Sequence, residues 1–533
     1  MEMEKINKEE LREKMKENPE EFLNEFIRLK LNKETNEFNI KMLQEEIRIL
    51  KERQFGKKTE KCVTDSSGRT LFNVDEFNEA ETNANPEESE PLNDEGQPVI
   101  KEKKLNKRKN LVNRINNLEE VVEILDLSAE EKVCPKCGSQ LTYLSEKVVY
   151  TLRYVPAKIV KVKNVIKSYY CQNCKKDADN YVVQSRINTC FPKLMVEPSI
   201  VSNIIYNKYC QYLPLYRQEK LFNNVGLDVT RANMCNWVIA GCNVLEPLYK
   251  LMEKDALSED ILHMDETTLT VLDNNKSNNY IWGVFTGKHS TKNIKLYYYN
   301  ESREYKTAME ILKNYKGYIQ SDGYKAYQNI PNTINVGCMA HARRKFVEIE
   351  KALKKQSLSG SSASEALAYI NKLYSIEHKI EGKSIDEIER IRNDEAKPIL
   401  EEFYEWCLDN AYYKSMPNSS IGKAVQYFIN NYEYLKNYLL DGRLSIDNNL
   451  AERGMKSFVM GRKNFLFCIT EAGANKSCIA YSIVESARAN NLKVEYYLNY
   501  VFNSLSNIDS LTEDDYRKLL PYSENIPNYL KSN

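Results

Sequence analysis

The sequence predicts a multidomain α/β protein. Its central part alternates short apolar runs of strand length with stretches of helical period, a pattern typical of α/β domains. Two Cys-x-x-Cys motifs precede this part, and a heptad pattern precedes both. The 533 residues suffice for roughly three or four domains of about 150 residues each. Net charge is zero, with 76 acidic and 76 basic residues, so only local clusters of charge can indicate a nucleic-acid partner.

The N-terminal segment, residues 1–61, is predicted to be a helix with a coiled-coil seam. Residues recur at seven-residue spacing in two interleaved, mostly apolar rows. The rows are Phe22, Leu29, Asn36, Leu43 and Leu50, and Phe26, Lys33, Ile40 and Ile47. One interpretation is a homo-oligomer formed through this seam, and the other is an amphipathic helix that packs on its own protein.

Residues 62–118 have the composition of a linker. The chain is acidic from Thr64 to Pro98, with Arg69 as its only basic residue there, and prolines and a glycine punctuate it. A basic run follows, and it contains Lys101, Lys103, Lys104, Lys107, Arg108 and Lys109. These cations could neutralise DNA phosphates or remain solvated in a flexible tether.

A four-cysteine zinc module is predicted at residues 119–185. Cys134 and Cys137 form one Cys-x-x-Cys motif, and Cys171 and Cys174 form the other, with paired strands expected at 151–170 between them. Four thiolates complete a tetrahedral shell around one Zn²⁺ and leave no position for substrate, so the ion should be structural. Unliganded cysteines or two redox pairs are the alternative.

Residues 186–250 contain three segments of helical period, at 199–209, 216–224 and 230–240. A helix-turn-helix DNA reader and an ordinary three-helix bundle both fit this pattern. Arg217, Lys220 and Arg231 are the side chains available for phosphate contacts.

Three acidic residues indicate a catalytic site that binds a divalent cation. Asp265 lies in the first of three predicted antiparallel strands, at 261–270, 280–286 and 294–299, and Asp322 ends a later strand at 317–321. Side chains alternate along a strand, so only one of Asp265 and Glu266 can join the site. Glu452 lies just inside a helix after a helix-rich stretch. Carboxylates suit hard cations such as Mg²⁺.

Two strand-borne aspartates and one helical glutamate are the arrangement of an RNase H-like catalytic core. We expect this core at residues 251–350 and 445–490, interrupted by an all-helical insertion at 351–444 and followed by a helical tail at 491–533. Basic residues flank the acids and are candidates for DNA binding. They are His341, Arg343, Arg344 and Lys345 in one helix and Arg453, Lys456, Arg462 and Lys463 in another.

The chain resembles transposases of the insertion-sequence 66 family, through motifs that occur in order from Phe55 almost to the end. Among them are Leu-Pro-Leu-Tyr-Arg-Gln-Glu, Met-Asp-Glu-Thr, Ser-Asp-Gly-Tyr, Ala-His-Ala-Arg-Arg-Lys-Phe and Asp-Asn-Asn-Leu-Ala-Glu-Arg. This resemblance implies a DDE transposase with Asp265, Asp322 and Glu452 as its acid triad. It also implies double-stranded DNA with inverted-repeat ends as the substrate, and small accessory proteins of the same element as partners.

The triad motivates a two-metal hypothesis. Two Mg²⁺ or Mn²⁺ ions about 3.5–4 Å apart would be bridged by Asp265 and flanked by Asp322 and Glu452 during hydrolysis and strand transfer. An inactive protein that binds transposon ends and an RNase H-like nuclease without strand transfer are the alternatives. No apolar stretch approaches the roughly 20 residues that cross a bilayer. With no signal-peptide pattern at the N-terminus, we expect a cytoplasmic, nucleoid-associated protein.

Overall fold

The structure is a computed structural model, and it describes six stretches of the chain and six isolated residues. The stretches are 158–170, 182–274, 278–354, 361–409, 417–506 and 511–532, and the isolated residues are 43, 46, 47, 49, 50 and 122. The predicted linker, the four cysteines of the zinc module and most of the predicted coiled coil lie outside the described residues. Within them, no helix has the length and hydropathy to span a membrane.

Two short strands pair at the end of the predicted zinc module, one within the range expected for its strands and one beyond that range. Strand β1 (Ser168–Tyr170) runs antiparallel to β2 (Val182–Gln184), with Tyr169 opposite Val183. The expected pairing within 151–170 is therefore wrong over its described part, because residues 158–167 form no strand. Alternating apolar residues predicted an extended chain, but they do not specify which segment supplies the neighbouring strand.

Three helices follow, and they share one hydrophobic core with the central sheet. They are α1 (Pro198–Tyr209), α2 (Leu215–Asn224) and α3 (Arg231–Ala256). The Thr230 hydroxyl accepts a hydrogen bond from the Asn233 amide and so caps α3. Helix α3 continues past the domain boundary expected at residue 250, because its period of buried residues extends to Ala256. Its buried side chains belong to the same cluster as those of the sheet.

The central sheet is mixed. Its strands are β3 (Ile261–Val271), β4 (Asn279–Thr286), β5 (Lys295–Asn300), β6 (Gly317–Gln320) and β7 (Thr333–Val336), with helix α4 (Tyr305–Leu312) between β5 and β6. Their order is β5-β4-β3-β6-β7. The first three strands are antiparallel, whereas β6 runs parallel to β3 and β7 runs parallel to β6. The two-residue strand β8 (Phe467–Cys468) pairs with the far end of β3.

A second hydrophobic cluster is formed mainly by helices. They are α5 (Met339–Lys354), α6 (Ser362–Lys379), α7 (Ile385–Ile391), α8 (Lys397–Asp409) and α9 (Ser420–Leu435). Aromatic rings dominate the centre of this cluster, and the Phe403 and Phe428 rings lie 4.3 Å apart. These helices lie in the chain between the segment of Asp322 and that of Glu452.

The described residues of the N-terminal helix contact this second cluster through one face. Ile49 is buried in the cluster, and the Glu46 carboxylate accepts a hydrogen bond of 2.9 Å from the Ser420 amide at the start of α9. The heptad residues Leu43, Ile47 and Leu50 are about half exposed. The face that docks on the protein is therefore different from the predicted coiled-coil seam.

Four α-helices lie in the described part of the chain from Asn449 onward, and α10 positions the site. They are α10 (Asn449–Phe465), α11 (Glu471–Ala489), α12 (Val494–Ser506) and α13 (Glu513–Lys518). Helix α10 lies close against β3 and β4 because glycine occupies the contact on both sides. A Cβ at Gly454 would lie 2.7 Å from the Phe285 ring, and one at Gly283 would lie 2.4 Å from Met455 Sδ.

Candidate active site

Asp265 and Asp322 follow the same level of two parallel strands. His263 on β3 is the register partner of Gln320 on β6, and each aspartate comes two residues later. Strand β6 ends at Gln320 whereas β3 continues to Val271, so Asp265 lies within β3 beside the carboxyl-terminal edge of β6, which Asp322 follows. Gly323, with φ of +85°, then turns the chain away.

Buried amide side chains fasten the start of α10, and therefore Glu452, to this edge. Asn448 Nδ2 donates to the Met264 carbonyl on β3 at 2.8 Å. Gln320 Nε2 donates to the carbonyls of Ser445 at 2.5 Å and Asp447 at 3.0 Å. Glu452 lies in the first turn of α10, four residues after Asn448.

The three predicted carboxylates influence one another electrostatically. Burial raises the pKa of Asp265 to about 8, and the negative charges of Glu266, Asp322 and Glu452 add to the effect. One hydrogen bond opposes the shift, since Asp265 Oδ1 accepts from the Glu266 amide at 2.9 Å. This part of the molecule therefore has an excess of negative charge around Asp265.

The Asp322 backbone and side chain are held on both sides. Oδ1 accepts a hydrogen bond of 2.9 Å from the Tyr324 amide, which closes a tight turn over Gly323. The Asp322 carbonyl accepts one of 3.0 Å from the Tyr427 hydroxyl on α9. The helical cluster thus contacts the aspartate loop directly.

Glu452 is the triad member with protein cations beside it. Its Oε1 lies 3.4 Å from Arg344 Nη2 and 3.6 Å from His341 Nε2. Burial and the nearby Arg344 charge lower the pKa of His341, although Glu452 opposes this shift. His341 Nδ1 is buried without a hydrogen-bond partner in the structure.

The other basic residues expected to bind DNA have different surroundings. Arg343 turns toward α6, where Nη2 donates to Asn371 at 3.3 Å. The Lys345 ammonium lies 4.5 Å from the centre of the Tyr427 ring. Arg462 Nη1 donates to the Thr268 hydroxyl at 2.9 Å. Arg453 and Lys463 on α10 are exposed, and Lys456 is partly buried.

Sequence reasoning missed several residues next to the acids. Glu266 was expected on the opposite face from Asp265, and its carboxylate indeed accepts hydrogen bonds from Arg303 Nε at 2.5 Å and from the Tyr327 hydroxyl. Neither partner was singled out, because each lies far along the chain from Glu266. His263 and Gln320 were also missed. Their only signal in the sequence is a polar side chain within or beside an apolar run. The sequence of residues 445–449 predicts that Asn448 caps the helix of Glu452, but its side chain makes no capping hydrogen bond and binds β3 instead.

The donor chemistry around Asp265 suits a hard divalent cation, although the ligand set is open as it stands. Carboxylate oxygens are the ligands that Mg²⁺ and Mn²⁺ prefer, and burial, together with the charges of nearby carboxylates, raises the pKa of Asp265. In the stretches that the structure describes, no three His, Cys, Asp or Glu side chains are arranged to hold one ion. Glu452 instead faces Arg344 and His341.

The fold and the site define a mixed α/β protein in which acidic residues lie within and after adjacent strands of the central sheet, with basic residues on neighbouring helices. The family model described as "Transposase IS66 family" matches residues 193–476, which include Asp265, Asp322 and Glu452. The chain therefore belongs to the IS66 family of transposases. A second model, the zinc-finger binding domain of transposase IS66, matches residues 131–175 and contains all four cysteines of the two motifs. The resemblance inferred from the sequence is confirmed.

Similar proteins occur in Sinorhizobium fredii. The uncharacterized protein y4jD is 28% identical over 416 residues, which cover 74% of this chain and 79% of that protein. The uncharacterized protein y4hP is 26% identical over 386 residues, which cover 68% and 69%, respectively. These likenesses extend across most of both chains and add no assigned activity.

Proposed function

We propose that this transposase is a DDE enzyme with Asp265, Asp322 and Glu452 as its catalytic carboxylates. It would bind the inverted-repeat ends of its mobile element, hydrolyse the strand there, and join the released 3′-hydroxyl to target DNA. The observation that supports the assignment best is geometric, because the pairing of β3 with β6 and the hydrogen bond from Asn448 to the Met264 carbonyl join the three segments that carry these acids.

The strand order supports an RNase H-like core for this enzyme. Three antiparallel strands and two parallel ones, in the order β5-β4-β3-β6-β7, fit the predicted core, and the first aspartate lies on its central strand. In this proposal α10 is the last core helix, and the helices from α6 to α9 form the insertion. The second hydrophobic cluster supports that division, since most of its members come from this part of the chain.

The chain's own residues would hold and orient the reacting groups. Asp265, Asp322 and Glu452 would hold two Mg²⁺ or Mn²⁺ ions. The chemistry that such ions supply is stabilisation of the attacking and leaving oxygens of an in-line displacement. Arg344 already lies within 3.4 Å of a triad oxygen, so its guanidinium is suited to a phosphate beside the site.

DNA binding would extend along α5 and α10. Lys345, Arg453 and Lys463 are exposed on these helices, so their charges are accessible to DNA phosphates. The other predicted DNA contacts are His341, Arg343, Lys456 and Arg462. For Arg343 and Arg462, binding to DNA would compete with the hydrogen bonds that they make to the protein.

Further partners follow from the other segments. The zinc-finger domain would hold one structural Zn²⁺ through Cys134, Cys137, Cys171 and Cys174 and would contribute to DNA binding. The exposed heptad residues Leu43, Ile47 and Leu50 support a homo-oligomer formed through the N-terminal helix. Small accessory proteins of the same element are possible further components of the complex.

The proposal is tested with purified protein and DNA taken from the flanks of its own gene, in Mg²⁺ or Mn²⁺. Wild type should give nicked and joined products, and Asp322→Asn should give neither. Glu310→Gln is the matched control, since it removes an exposed carboxylate on α4 and should retain both products. Nicking without joining would favour a nuclease. DNA binding without either product, in wild type and Asp322→Asn alike, would favour an inactive end-binding protein.

A further inference from the structure

Three buried polar side chains each precede one of the three carboxylates by a few residues in the sequence. They are His263, Gln320 and Asn448, which are 2%, 0% and 1% exposed. His263 precedes Asp265 by two residues, Gln320 precedes Asp322 by two, and Asn448 precedes Glu452 by four. Each carboxylate thus has one buried polar residue within a turn or a strand repeat of it. We refer to these three residues as the polar layer.

The first link in the polar layer joins β3 to the start of α10. Asn448 Nδ2 donates to the Met264 carbonyl, which leaves Oδ1 as the acceptor of the amide. His263 Nδ1 lies 3.0 Å from this Oδ1 and must therefore donate to it. The backbone N–H of Asn448 in addition donates to Cys338 Sγ at 3.1 Å. The orientation of Asn448 is fixed on three sides.

The second link joins β6 to the loop before α10. Gln320 Nε2 donates to the carbonyls of Ser445 and Asp447, and its Oε1 accepts from the Ser445 amide at 3.3 Å. One fully buried amide therefore uses both of its ends on two residues of this loop, Ser445 and Asp447. Because His263 and Gln320 are register partners, the two links lie side by side across β3 and β6.

We infer that His263, Gln320 and Asn448 are positioning residues that set the spacing of the three carboxylates. The inference rests on the proposed cation-binding role of Asp265, Asp322 and Glu452. Catalytic groups need to be held within about 0.5 Å of their productive geometry, and buried hydrogen bonds behind them provide that support. A displacement of about 1 Å can cost about 10²-fold in rate. The polar layer touches neither DNA nor a cation in this assignment, and it acts through the backbone that it fastens.

The test measures Mn²⁺ affinity of the full-length protein without DNA, by electron paramagnetic resonance, together with thermal unfolding. Gln320→Met keeps the size of the side chain and removes all three of its hydrogen bonds. We expect its Kd for Mn²⁺ to rise at least tenfold. His263→Phe should weaken binding similarly, and His263→Gln, which restores a donor, should remain within about threefold of wild type.

Gln218→Met is the matched control. Gln218 on α2 is 1% exposed, and its Nε2 also donates to two carbonyls, those of Ile204 and Leu213. Its substitution should lower the melting temperature as Gln320→Met does and leave Mn²⁺ affinity unchanged. If Gln320→Met cannot be purified folded, the His263→Phe and His263→Gln pair decides.

Two contrary results are distinguishable. If Asp265→Asn abolishes Mn²⁺ binding whereas Gln320→Met and His263→Phe lose only stability, the positioning role is overturned and the proposed function stands. If Asp265→Asn binds Mn²⁺ as wild type does, the carboxylate site is misassigned and both proposals are overturned.

Discussion

Asp265 and Glu266 are adjacent on strand β3 and lie on opposite faces of the sheet. Their surroundings, called here the Asp265 corner and the Glu266 corner, differ in how the negative charge is balanced. The Glu266 corner contains its own cation and donor, because Arg303 and the Tyr327 hydroxyl both bind this carboxylate. Around Asp265 the neighbouring charges are mainly carboxylates, and its pKa is raised to about 8. Burial raises the pKa of Glu266 as well, but Tyr327 and Arg303 oppose that rise, whereas at Asp265 a backbone amide opposes it. The difference teaches that a side-chain cation of the chain balances Glu266 and not Asp265.

The largest expected effect is on strand cleavage, when a substitution of Asp265 is compared with one of Glu266. Asp265→Asn should reduce strand cleavage by at least about 10³-fold, because the cation loses a ligand that no other side chain replaces. Glu266→Gln should leave cleavage within about tenfold of wild type and destabilise the fold by roughly 1–3 kcal/mol. Cleavage assays and urea unfolding of both variants provide the check. Equal losses of cleavage would remove the distinction between the two corners.

The second prediction concerns pH in the absence of divalent cations. The pKa of Asp265 is raised from an ordinary 3.8 to about 8 in the folded protein, so this group's contribution to stability falls as pH rises between these values. Asp265→Asn does not titrate and should exceed wild type in stability by roughly 1–3 kcal/mol at pH 8.5. The gap should disappear near pH 4. Unfolding curves with EDTA at both values measure it, and a gap independent of pH would contradict the assignment.

A smaller effect is expected when the Glu266 corner loses its hydroxyl donor. Tyr327→Phe removes the hydrogen bond to Glu266 but retains the buried ring and the Arg303 contact. The free energy of unfolding should fall by about 0.5–1.5 kcal/mol. Mn²⁺ affinity should remain that of wild type, since the Tyr327 hydroxyl binds Glu266 and not Asp265. Tyr315→Phe, which removes a hydroxyl bonded to the Tyr318 carbonyl, is a control for loss of a similar group elsewhere.

The smallest effect concerns Glu452, which has a protein cation beside it, as Glu266 does, and adds to the negative charge around Asp265. Arg344→Gln removes the guanidinium beside Glu452 Oε1. Mn²⁺ binding should therefore tighten by about twofold to fourfold, because the cation no longer competes with a fixed positive charge. DNA binding should weaken, and the salt dependence of the DNA affinity should decrease by the amount expected for the loss of about one phosphate contact. Tighter DNA binding by Arg344→Gln would exclude a phosphate-binding role.

Much of the sheet could be predicted because its signals are local. Strand β3 was expected at 261–270 and occurs at Ile261–Val271, since β-branched and alternating residues define it without reference to distant parts. The helical period of residues 303–315 predicts a longer helix than the one that forms, at Tyr305–Leu312. Its end is set by packing and by Lys313, whose φ of +53° ends the helical path.

For the candidate site, the three acidic residues could be predicted, but the residues that hold them in place could not. The identities of the acids depend on short motifs, which the sequence contains. The supports depend on which segments meet in space. Nothing local in Gln320 indicates that it binds the loop before α10, and nothing in Arg303 indicates Glu266. Tertiary contacts of this kind join residues more than 30 positions apart, and periodicity carries no information about them.

The order of the site's parts along the chain has a consequence for protein synthesis. Asp265 and Asp322 leave the ribosome first, and Asn448 and Glu452 follow only after helices α5 to α9. At roughly 5–20 residues per second, several seconds separate the two events. A polypeptide that stops within this helical stretch contains both aspartates but neither the glutamate nor its amide anchor. Under the proposed function, premature termination there yields a product that leaves the host chromosome uncut.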